Sequence, residues 1–326
     1  MEFTFLGTSS GVPTLQRNVA ALAMHLQSQK GWYLVDCGEG TQHQVLRSPY
    51  SLMQLNGIFI THVHGDHCYG LPGLLASTSM AGRTDPLTIV APKGVEEFVQ
   101  TTIACTDMKI NYDLIFVAVE PLQKNGEDLI FKNHFKVSAH ALSHRVPSFA
   151  YRFEEIAKDN KLDVDKLRQA GISEGPMWGD IQRNREVQWQ GKVINCQDYY
   201  LPARQARAIV VGGDNDSPEL LADACVGADT LIHEATYTQE VSDKIGPGPQ
   251  HSTAKGVAEF AQAQGLRNLV LTHFSARYHH PDYKQSISVW ALEEEARQFY
   301  QGNIFLANDF DRYCLNRESH LSLYQG

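Results

Sequence analysis

Short apolar runs alternate with polar, glycine-rich turns along most of the chain. A run of about four to eight apolar or alternating residues between turn formers predicts a strand, whereas apolar residues spaced three and four apart predict a helix. This pattern predicts strands at residues 2–7, 19–26, 32–36, 55–61, 87–91, 114–119, 135–139, 208–211, 230–232, 268–271 and 304–307. It predicts helices at residues 41–49, from about residue 74 onward, and at 95–102, 220–225, 254–264 and 293–300. Strands mixed with helices indicate an α/β sandwich, which we interpret as one domain over residues 1–326.

The pattern changes within residues 151–207, where polar and turn-forming residues dominate. Residues 154–161 are strongly polar, and residues 171–179 are rich in turn formers. Ten Lys/Arg stand against nine Asp/Glu in residues 152–207, so the segment is nearly neutral. We predict an inserted, protruding arm at about 151–207 without a core of its own, and a solvated hairpin is the alternative interpretation.

A cluster of metal-competent side chains follows the strand predicted at 55–61. Residues 60–75 read I-T-H-V-H-G-D-H-C-Y-G-L-P-G-L-L, and four potential ligands lie within six residues: His62, His64, Asp66 and His67. Three imidazoles this close would compete for protons, whereas a divalent cation satisfies them together with the carboxylate. We therefore predict a metal site here and not a set of ordinary loop histidines.

Other predicted strands also end at metal-competent residues, which are His144, Asp214, His233 and His273. Seven nitrogen and oxygen ligands without a thiolate predict two first-row divalent ions about 3.5–4 Å apart, with Asp214 shared between them. The predicted ligands are His62, His64, Asp66, His67, His144, Asp214 and His273. Imidazole-rich sites favour zinc, and manganese and iron are the alternatives.

Two ions in this arrangement predict hydrolytic chemistry. They would hold a hydroxide between them, lower its pKa and stabilise charge on an attacked phosphoryl or acyl centre. Asp66 would both bind a metal and orient this nucleophile. His251 lies outside the ligand set and precedes a predicted helix, so we predict it as the general acid, with Glu234 orienting it. The alternative for His251 is a structural histidine beside a helix N-cap.

Composition narrows the class of protein. The chain has 326 residues, of which 43% are hydrophobic and 20% charged, as is usual for a globular protein. The net charge of −9 opposes generic nucleic-acid binding, so a polyanionic substrate would need a local basic patch. No apolar run approaches membrane-span length, the N-terminus begins as a strand without a leader, and six scattered cysteines suit a reducing cytoplasm. We expect neither a membrane nor a DNA partner.

Several motifs resemble known families. The cluster H-x-H-x-D-H resembles the metallo-β-lactamase superfamily, whose members hydrolyse lactams, thioesters, phosphodiesters and sulfate esters. Longer motifs resemble the ribonuclease Z family, whose members process the 3′ ends of tRNA. These motifs are residues 6–13 with Arg17 and Asn18, 36–42, 60–75, 233–236, 251–253 and 272–278. They cover nearly the whole chain in order and with compatible spacing.

The resemblance implies a four-layer αβ/βα sandwich, two zinc ions, a homodimer, and a precursor tRNA that is cut after the discriminator nucleotide to leave a 3′-hydroxyl. It implies one ion on His62, His64 and His144, the other on Asp66, His67 and His273, and Asp214 shared between them. His251 matches the proton-donating histidine of the family, and Glu234 the acidic residue of its H-E-A-T motif. The arm at about 151–207 corresponds to the exosite that grips tRNA through its phosphates.

Three stretches depart from the family pattern. Ser173 and Glu174 stand where prolines are usual, residues 179–185 hold fewer lysines, and Asn215 stands where a threonine usually follows the shared aspartate. A small-molecule phosphodiesterase or arylsulfatase of the same superfamily is therefore the alternative function. A catalytically silent RNA-binding protein is a third interpretation, against which the complete ligand set argues.

Overall fold

The computed structural model describes residues 1–27, 29–132, 134–156, 161–201, 205–279 and 287–324. The chain divides into two compact units, Met1–Glu154 with Arg207–Gly326, and Glu155–Ala206. The first unit contains two large sheets and the clustered histidines and aspartates. Among the described residues, no helix has the length and apolar content that a membrane span requires.

The strands are named in chain order. They are β1 (Glu2–Gly7), β2 (Ser9–Ser10), β3 (Ala21–His25), β4 (Trp32–Val35), β5 (Leu55–Phe59), β6 (Leu87–Ala91), β7 (Leu114–Ala118), β8 (Leu129–Phe131), β9 (Phe135–Leu142), β10 (Ser148–Glu155), β11 (Val187–Trp189), β12 (Lys192–Ile194), β13 (Ala208–Val211), β14 (Thr230–Glu234), β15 (Asn268–Thr272), β16 (Phe274–Ser275), β17 (Tyr278–His279), β18 (Ile287–Ser288), β19 (Asn303–Leu306), β20 (Arg312–Leu315) and β21 (Leu321–Leu323).

The helices are named in the same way. They are α1 (Thr41–Leu46), α2 (Gly65–Cys68), α3 (Leu71–Met80), α4 (Lys93–Thr106), α5 (Val119–Asn125), α6 (Val164–Gln169), α7 (Pro176–Gln182), α8 (Ala222–Cys225), α9 (Gln239–Ile245), α10 (Ala254–Ala263) and α11 (Trp290–Ala296). Short 3-10 helices lie at Leu52–Gln54, Cys196–Tyr199 and Pro218–Leu221.

Each large sheet contains a run of parallel strands. The first sheet has the order β21-β20-β1-β3-β4-β5-β6-β7, in which β4 to β7 are parallel. The second has the order β19-β15-β14-β13-β10-β9-β8, in which β13, β14, β15 and β19 are parallel. Because parallel strands end at the same edge of a sheet, the residues that follow β13, β14 and β15 are brought together at one edge.

Aromatic and aliphatic side chains from both sheets form the core between them. Phe3 and Phe5 of β1 point into this core, whereas Leu6 joins the opposite face of the first sheet, as the period of two in a strand requires. The ring of Phe59 on β5 lies 5.2 Å from the Tyr151 ring and 5.0 Å from the Phe153 ring, both on β10. The two sheets are therefore held face to face by large, fully buried side chains.

Helices cover the outer face of each sheet. The first sheet packs against apolar side chains of α1, α3 and α4, such as Val45, Leu74 and Val95. The second packs against α10 and α11, through Val257 and Leu292 among others. The layers thus run helices, sheet, sheet, helices, which confirms the predicted α/β sandwich.

Several predicted boundaries are wrong. The helix expected from about residue 74 begins at Leu71, because Pro72 occupies the first turn, where a proline needs no hydrogen-bond partner. The helix expected at 293–300 is Trp290–Ala296. The strand near residue 304 is not the last one, because β20 and β21 extend the first sheet by pairing with β1 and with each other. β20 is only four residues long, which gives a weak strand signal, and its partner β1 lies at the other end of the chain.

The unit Glu155–Ala206 has a small core of its own, which corrects the expectation of an arm without one. Its buried members are Leu167, Ile172, Ile181, Val187 and Cys196, with Trp178 and Trp189 packed against them. Both indole N–H groups donate to backbone carbonyls within the unit, at 3.1 and 3.2 Å. Helices α6 and α7 and the hairpin β11–β12 therefore form a folded module and not a solvated hairpin.

Candidate metal centre

Two groups of ligand atoms meet at the ends of strands in the first unit. The first group contains the Nε2 atoms of His62 and His144, the Nδ1 atom of His64 and the Oδ2 atom of Asp214. His64 Nδ1 lies 3.1 Å from His62 Nε2 and 3.2 Å from His144 Nε2. Asp214 Oδ2 lies 3.6 Å from His62 Nε2 and 3.7 Å from His144 Nε2.

The second group uses the other oxygen of the same aspartate. Asp214 Oδ1 lies 3.4 Å from His67 Nε2 and 3.3 Å from His273 Nε2. These two nitrogens are 3.2 Å apart. Asp66 Oδ2 lies 3.5 Å from the first of them and 3.4 Å from the second. One carboxylate, that of Asp214, is therefore shared by both groups.

These separations have the size that a four-coordinate metal site requires. Metal–ligand bonds of about 2.0–2.2 Å place tetrahedral ligand atoms about 3.3–3.6 Å apart, because the edge of a tetrahedron is about 1.6 times the distance from its centre to a corner. The separations given above range from 3.1 Å (His62 to His64) to 3.7 Å (His144 to Asp214), and all ligand atoms of the first group lie within 4.8 Å of one another. The cluster therefore has the donor atoms and the spacing to hold metal.

Hydrogen bonds on the outer side of the histidines select which nitrogen faces inward. Nδ1 of His67 donates to Asp36 Oδ2 at 2.7 Å, so Nε2 is the nitrogen that faces the centre and can exchange a proton for a cation. Nδ1 of His144 donates to the Gln250 carbonyl at 2.9 Å, which orients this ring in the same way. These hydrogen bonds thus decide which nitrogen of each imidazole can act as a ligand.

Two threonines do the same for His62 and His273. The Thr61 hydroxyl donates to Asp36 and lies 3.1 Å from Nδ1 of His62, so this nitrogen is the donor in the contact. The Thr236 hydroxyl donates to Glu234 and lies 3.1 Å from Nδ1 of His273, so the same reasoning applies. Both Nε2 atoms are therefore available to the centre.

Two residues at strand ends have left-handed backbone conformations. Asp36 follows β4 with φ of 60°, and His273 follows β15 with φ of 59°. Such values are unfavourable for residues other than glycine, by about 1–3 kcal/mol, and are found where surrounding contacts hold them. Asp36 is held by the Thr61 N–H at 2.8 Å, and the turn after His273 is held by the Phe274 N–H, which donates to the Thr8 carbonyl at 2.9 Å. The turns aim both side chains into the cluster.

Buried carboxylates make the centre favourable for positive charge. Burial alone would raise the pKa of Asp214, but the charges of His273 and His67 hold that pKa well below its ordinary value. Burial alone would lower the pKa of His67, but the surrounding carboxylates raise it well above its ordinary value. Burial lowers the pKa of His62, so its imidazole stays neutral. The negative charge of these carboxylates therefore favours a cation at the centre. A metal ion supplies this positive charge and binds the imidazole nitrogens as ligands.

A buried histidine–glutamate pair lies beside the ligand groups. His251 Nδ1 lies 3.0 Å from both carboxylate oxygens of Glu234, which is only 2% exposed. Burial alone would lower the pKa of His251, but this carboxylate raises it to about 9. His251 Nδ1 is also 3.8 Å from Asp214 Oδ2, so the pair borders the shared aspartate.

Cationic and aromatic side chains lie next to this pair. The Tyr237 ring stands edge-on to the His251 ring at 6.0 Å, and the guanidinium of Arg277 lies 5.3 Å from the Tyr237 centroid. Burial, the charge of His144 and the charge of Arg145 all lower the pKa of His64, so Arg145 acts on the centre as well. Both arginines are exposed. This cationic rim favours an anionic ligand in a chain whose net charge is −9.

The structure brings the seven predicted ligand residues into the two groups and places His251 and Glu234 beside them. His233, which follows the same strand-end pattern, lies elsewhere: it is fully buried and its Nδ1 donates to the Glu234 carbonyl. Sequence reasoning missed the partners of the ligands, which are Gly11, Asp36, Thr61, Thr236 and Gln250. Gly11, Asp36, Thr61 and Thr236 stood within the motifs that resemble the family, whereas Gln250 lies just before one of them.

Comparisons with known proteins define the class. The family model for the beta-lactamase superfamily domain matches residues 31–274. The crystal structure of the short form of human tRNase Z superposes with a TM-score of 0.65 at 26% identity, covering 96% of this chain and 98% of that chain. Together with the fold and the His/Asp cluster, this places the chain in the metallo-β-lactamase superfamily.

Curated relatives narrow the class further. A protein named Ribonuclease Z from Marinobacter nauticus is 53% identical over 323 residues, which cover 98% of each chain. A Ribonuclease Z from Pseudomonas putida (strain W619) is 48% identical over 326 residues, which cover 100% of each chain. The chain belongs to the ribonuclease Z family, as its motifs predicted.

Asp36→Asn tests the outer hydrogen bonds. We expect the affinity for divalent metal to fall by about 10- to 100-fold, because an amide no longer fixes the proton of His67 on Nδ1. Competition with a chromogenic chelator measures the affinity. Asp107→Asn is the control, since that exposed carboxylate pairs with Lys109 on the surface. Equal affinities in the two variants would contradict the role assigned to Asp36.

Proposed function

We propose that this protein is a zinc-dependent endoribonuclease that removes the 3′ trailer from precursor tRNA and leaves a 3′-hydroxyl on the tRNA. The observation that carries the proposal is the pair of ligand groups sharing Asp214, in a chain that matches curated ribonucleases Z over their full length. Those relatives are named ribonucleases, and the human structure is that of a tRNase.

The proposed metal ligands are the members of the two groups. One ion would be held by His62, His64, His144 and Asp214, and a second by Asp66, His67, His273 and Asp214. The predominance of imidazole favours zinc over magnesium or calcium, and manganese or iron would be accepted by the same atoms. Divalent ions in such a site activate water as a nucleophile and stabilise the charge on an attacked phosphoryl group.

Asp66 contributes a fixed carboxylate to this chemistry. Its Oδ2 accepts a hydrogen bond from the Gly11 N–H at 2.7 Å, while the same oxygen faces His67 and His273. The Gly11 N–H thus fixes the oxygen that faces the two histidines. In this position Asp66 both completes the second ligand group and orients the attacking water.

His251 is the proposed proton donor. Its Nδ1 is engaged by Glu234, so Nε2 is the nitrogen left to protonate the departing oxygen. In the proposed reaction, water forms a bond to phosphorus and the bond from phosphorus to the 3′ oxygen of the tRNA breaks. The proton from His251 converts that oxygen into the 3′-hydroxyl, and the phosphate remains on the trailer.

The cationic rim would bind phosphates on either side of the cut. Arg277 and Arg145 are exposed beside the centre, and Tyr237 offers an aromatic face between Arg277 and His251. Phosphate contacts from arginine position a nucleic acid without reading its sequence, as a general tRNA-processing enzyme requires.

The unit Glu155–Ala206 is the proposed tRNA-binding exosite. Its eight Lys/Arg balance eight Asp/Glu, so the net charge of −9 belongs to the rest of the chain. Arg183, Arg185 and Lys192, on and next to α7 and the hairpin β11–β12, are exposed. A folded module without net negative charge is suited to binding a polyanion where the main unit is not.

A homodimer in the cytoplasm is the proposed working form. Leu46, Met53 and Met80 are 77%, 46% and 88% exposed, and the elements that carry them contact one another in the first unit. Exposed apolar side chains grouped in this way are typical of protein interfaces. All six cysteines are free thiols, as suits a reducing compartment.

The substrate proposal is tested with a 3′-extended tRNA and with bis(p-nitrophenyl) phosphate. We expect zinc-loaded protein to cut the tRNA once at the 3′ boundary, and Asp66→Ala to abolish cleavage while the circular dichroism spectrum stays unchanged. A matched tRNA that already ends in CCA, assayed in parallel, tells whether mature ends are spared. Hydrolysis of the small phosphodiester without any cleavage of the tRNA would favour the small-molecule alternative.

His251→Ala tests the proton donor. We expect kcat on tRNA to fall by about 10²–10⁴-fold with zinc content unchanged, because the leaving 3′ oxygen then departs as an unstabilised alkoxide. The loss on bis(p-nitrophenyl) phosphate should be much smaller, since nitrophenolate leaves without protonation. His320→Ala, on an exposed residue far along the chain, is the control. Equal losses on both substrates would exclude His251 as the general acid.

The triple variant Arg183→Ala, Arg185→Ala, Lys192→Ala tests the exosite. We expect a raised KM for tRNA, unchanged hydrolysis of bis(p-nitrophenyl) phosphate, and a salt dependence of log KM that is shallower by about one for each phosphate that the variant no longer neutralises. The matched control removes three exposed cations of the first unit, at Lys109, Lys244 and Arg297. If both variants raise the KM equally, the effect is general electrostatics and the exosite is refuted.

A further inference from the structure

Asn215, the residue after the shared aspartate, is fully buried and forms an unusually complete set of hydrogen bonds. Its side-chain oxygen accepts from the backbone N–H groups of Ser143 and Ser217, at 3.2 and 3.1 Å. Its side-chain nitrogen lies 3.2 Å from Nε2 of His233. Three polar groups of other residues thus depend on one amide.

The orientation of this amide follows from the hydrogen bonds around it. His233 Nδ1 lies 2.8 Å from the carbonyl oxygen of Glu234 and can only donate to it. Burial lowers the pKa of His233, so its imidazole is neutral and Nε2 is an acceptor. The Asn215 nitrogen therefore donates to His233, and the oxygen is left to accept from the two backbone groups.

The backbone of Asn215 reaches the proposed proton donor. Its N–H donates to Oε1 of Glu234 at 2.8 Å, and the same carboxylate oxygen lies 3.0 Å from Nδ1 of His251. Its carbonyl accepts from the hydroxyl of Ser252 at 2.5 Å. Asn215 is therefore bonded to the partner of His251 and to the residue that follows His251.

These contacts join three segments that are distant in the sequence. Ser143 precedes the ligand His144, Asp214 precedes Asn215, and Ser252 follows His251, all in the first unit. Small shifts of any of these loops would change the separations of 3.6 and 3.7 Å around Asp214 Oδ2. One buried residue, through its side chain on Ser143 and its backbone on Glu234 and Ser252, thus connects the first ligand group to the His251–Glu234 pair.

We propose that Asn215 is a positioning residue: it sets the place of His144 relative to Asp214, and of both relative to the proton-donating pair. The part that concerns the proton donor rests on the proposed function. An alanine here leaves the N–H groups of Ser143 and Ser217 and the Nε2 of His233 buried without partners. Aspartate would set an acceptor against the acceptor Nε2, and a threonine has one polar atom for three bonds.

The test compares Asn215→Ala with a matched buried asparagine. Asn268 is 1% exposed, donates to the carbonyls of Asp229 and Ser319 at 2.7 and 3.2 Å, and accepts from Asn303. It begins β15, whereas the ligand His273 follows the other end of that strand. Asn268→Ala therefore removes a similar buried network away from the metal centre.

We expect both variants to lose comparable stability in metal-free denaturant unfolding. Only Asn215→Ala should lose zinc affinity, by about 10- to 100-fold, since it removes the outer support of the first ligand group. Its kcat on tRNA should fall further than that of Asn268→Ala, with little change in KM. Asn215→Thr keeps one polar side-chain atom and should give an intermediate zinc affinity. This variant replaces Asn215→Ala in the test if the alanine variant does not fold.

Zinc affinity of Asn215→Ala and Asn215→Thr equal to that of Asn268→Ala would overturn the proposal. The zinc measurement involves no substrate, so it separates the two proposals. Wild-type protein that binds zinc but leaves tRNA intact would refute the proposed function alone. A loss of zinc affinity confined to Asn215 variants would still support the positioning role.

Discussion

One buried carboxylate, that of Asp214, constrains the whole centre. It is 3% exposed, and its two oxygens face two different groups of ligand atoms. A buried charge is tolerated only when it is paired, and here the pairing must come from both sides at once. The second sheet supplies the aspartate after β13, and the segment after β5 in the first sheet supplies His62 from a loop and His67 from helix α2. The negative charge of Asp214 is therefore paired only when the two sheets pack against each other.

The histidines around this carboxylate are fixed by a second layer of partners. Nδ1 of His67, His144 and His273 contacts Asp36, Gln250 and Thr236 respectively. Each of these partners is set by a strand end or a tight turn, and Asp36 and Gln250 have positive φ values of 60° and 54°. The orientation of the histidine nitrogens thus depends on locally unfavourable backbone conformations, which contacts with the rest of the fold stabilise.

Sequence reasoning named the residues that meet in the two groups, because several of them follow an apolar strand and carry side chains that can bind metal. His144, Asp214 and His273 were found in this way, and the spacing around His62 gave the rest. The same pattern misled at His233, which the fold buries against Asn215. The helix start at Leu71 and the strands β20 and β21 were missed, since proline was interpreted as a turn former and the pairing partner lies at the far end of the chain.

The sequence by itself determined the class of fold, the kinds of donor atom and the family, because hydrophobic periodicity and motif spacing are local properties. The tertiary structure alone decided which nitrogen of each imidazole faces the centre, that Asp214 divides its oxygens between two groups, and that Asn215 joins three loops. These features rest mainly on contacts between residues distant in the sequence: Asp36 and His67 are 31 positions apart, and His144 and Gln250 are 106 positions apart. No local pattern encodes such contacts, since they exist only after the sheets have paired and packed.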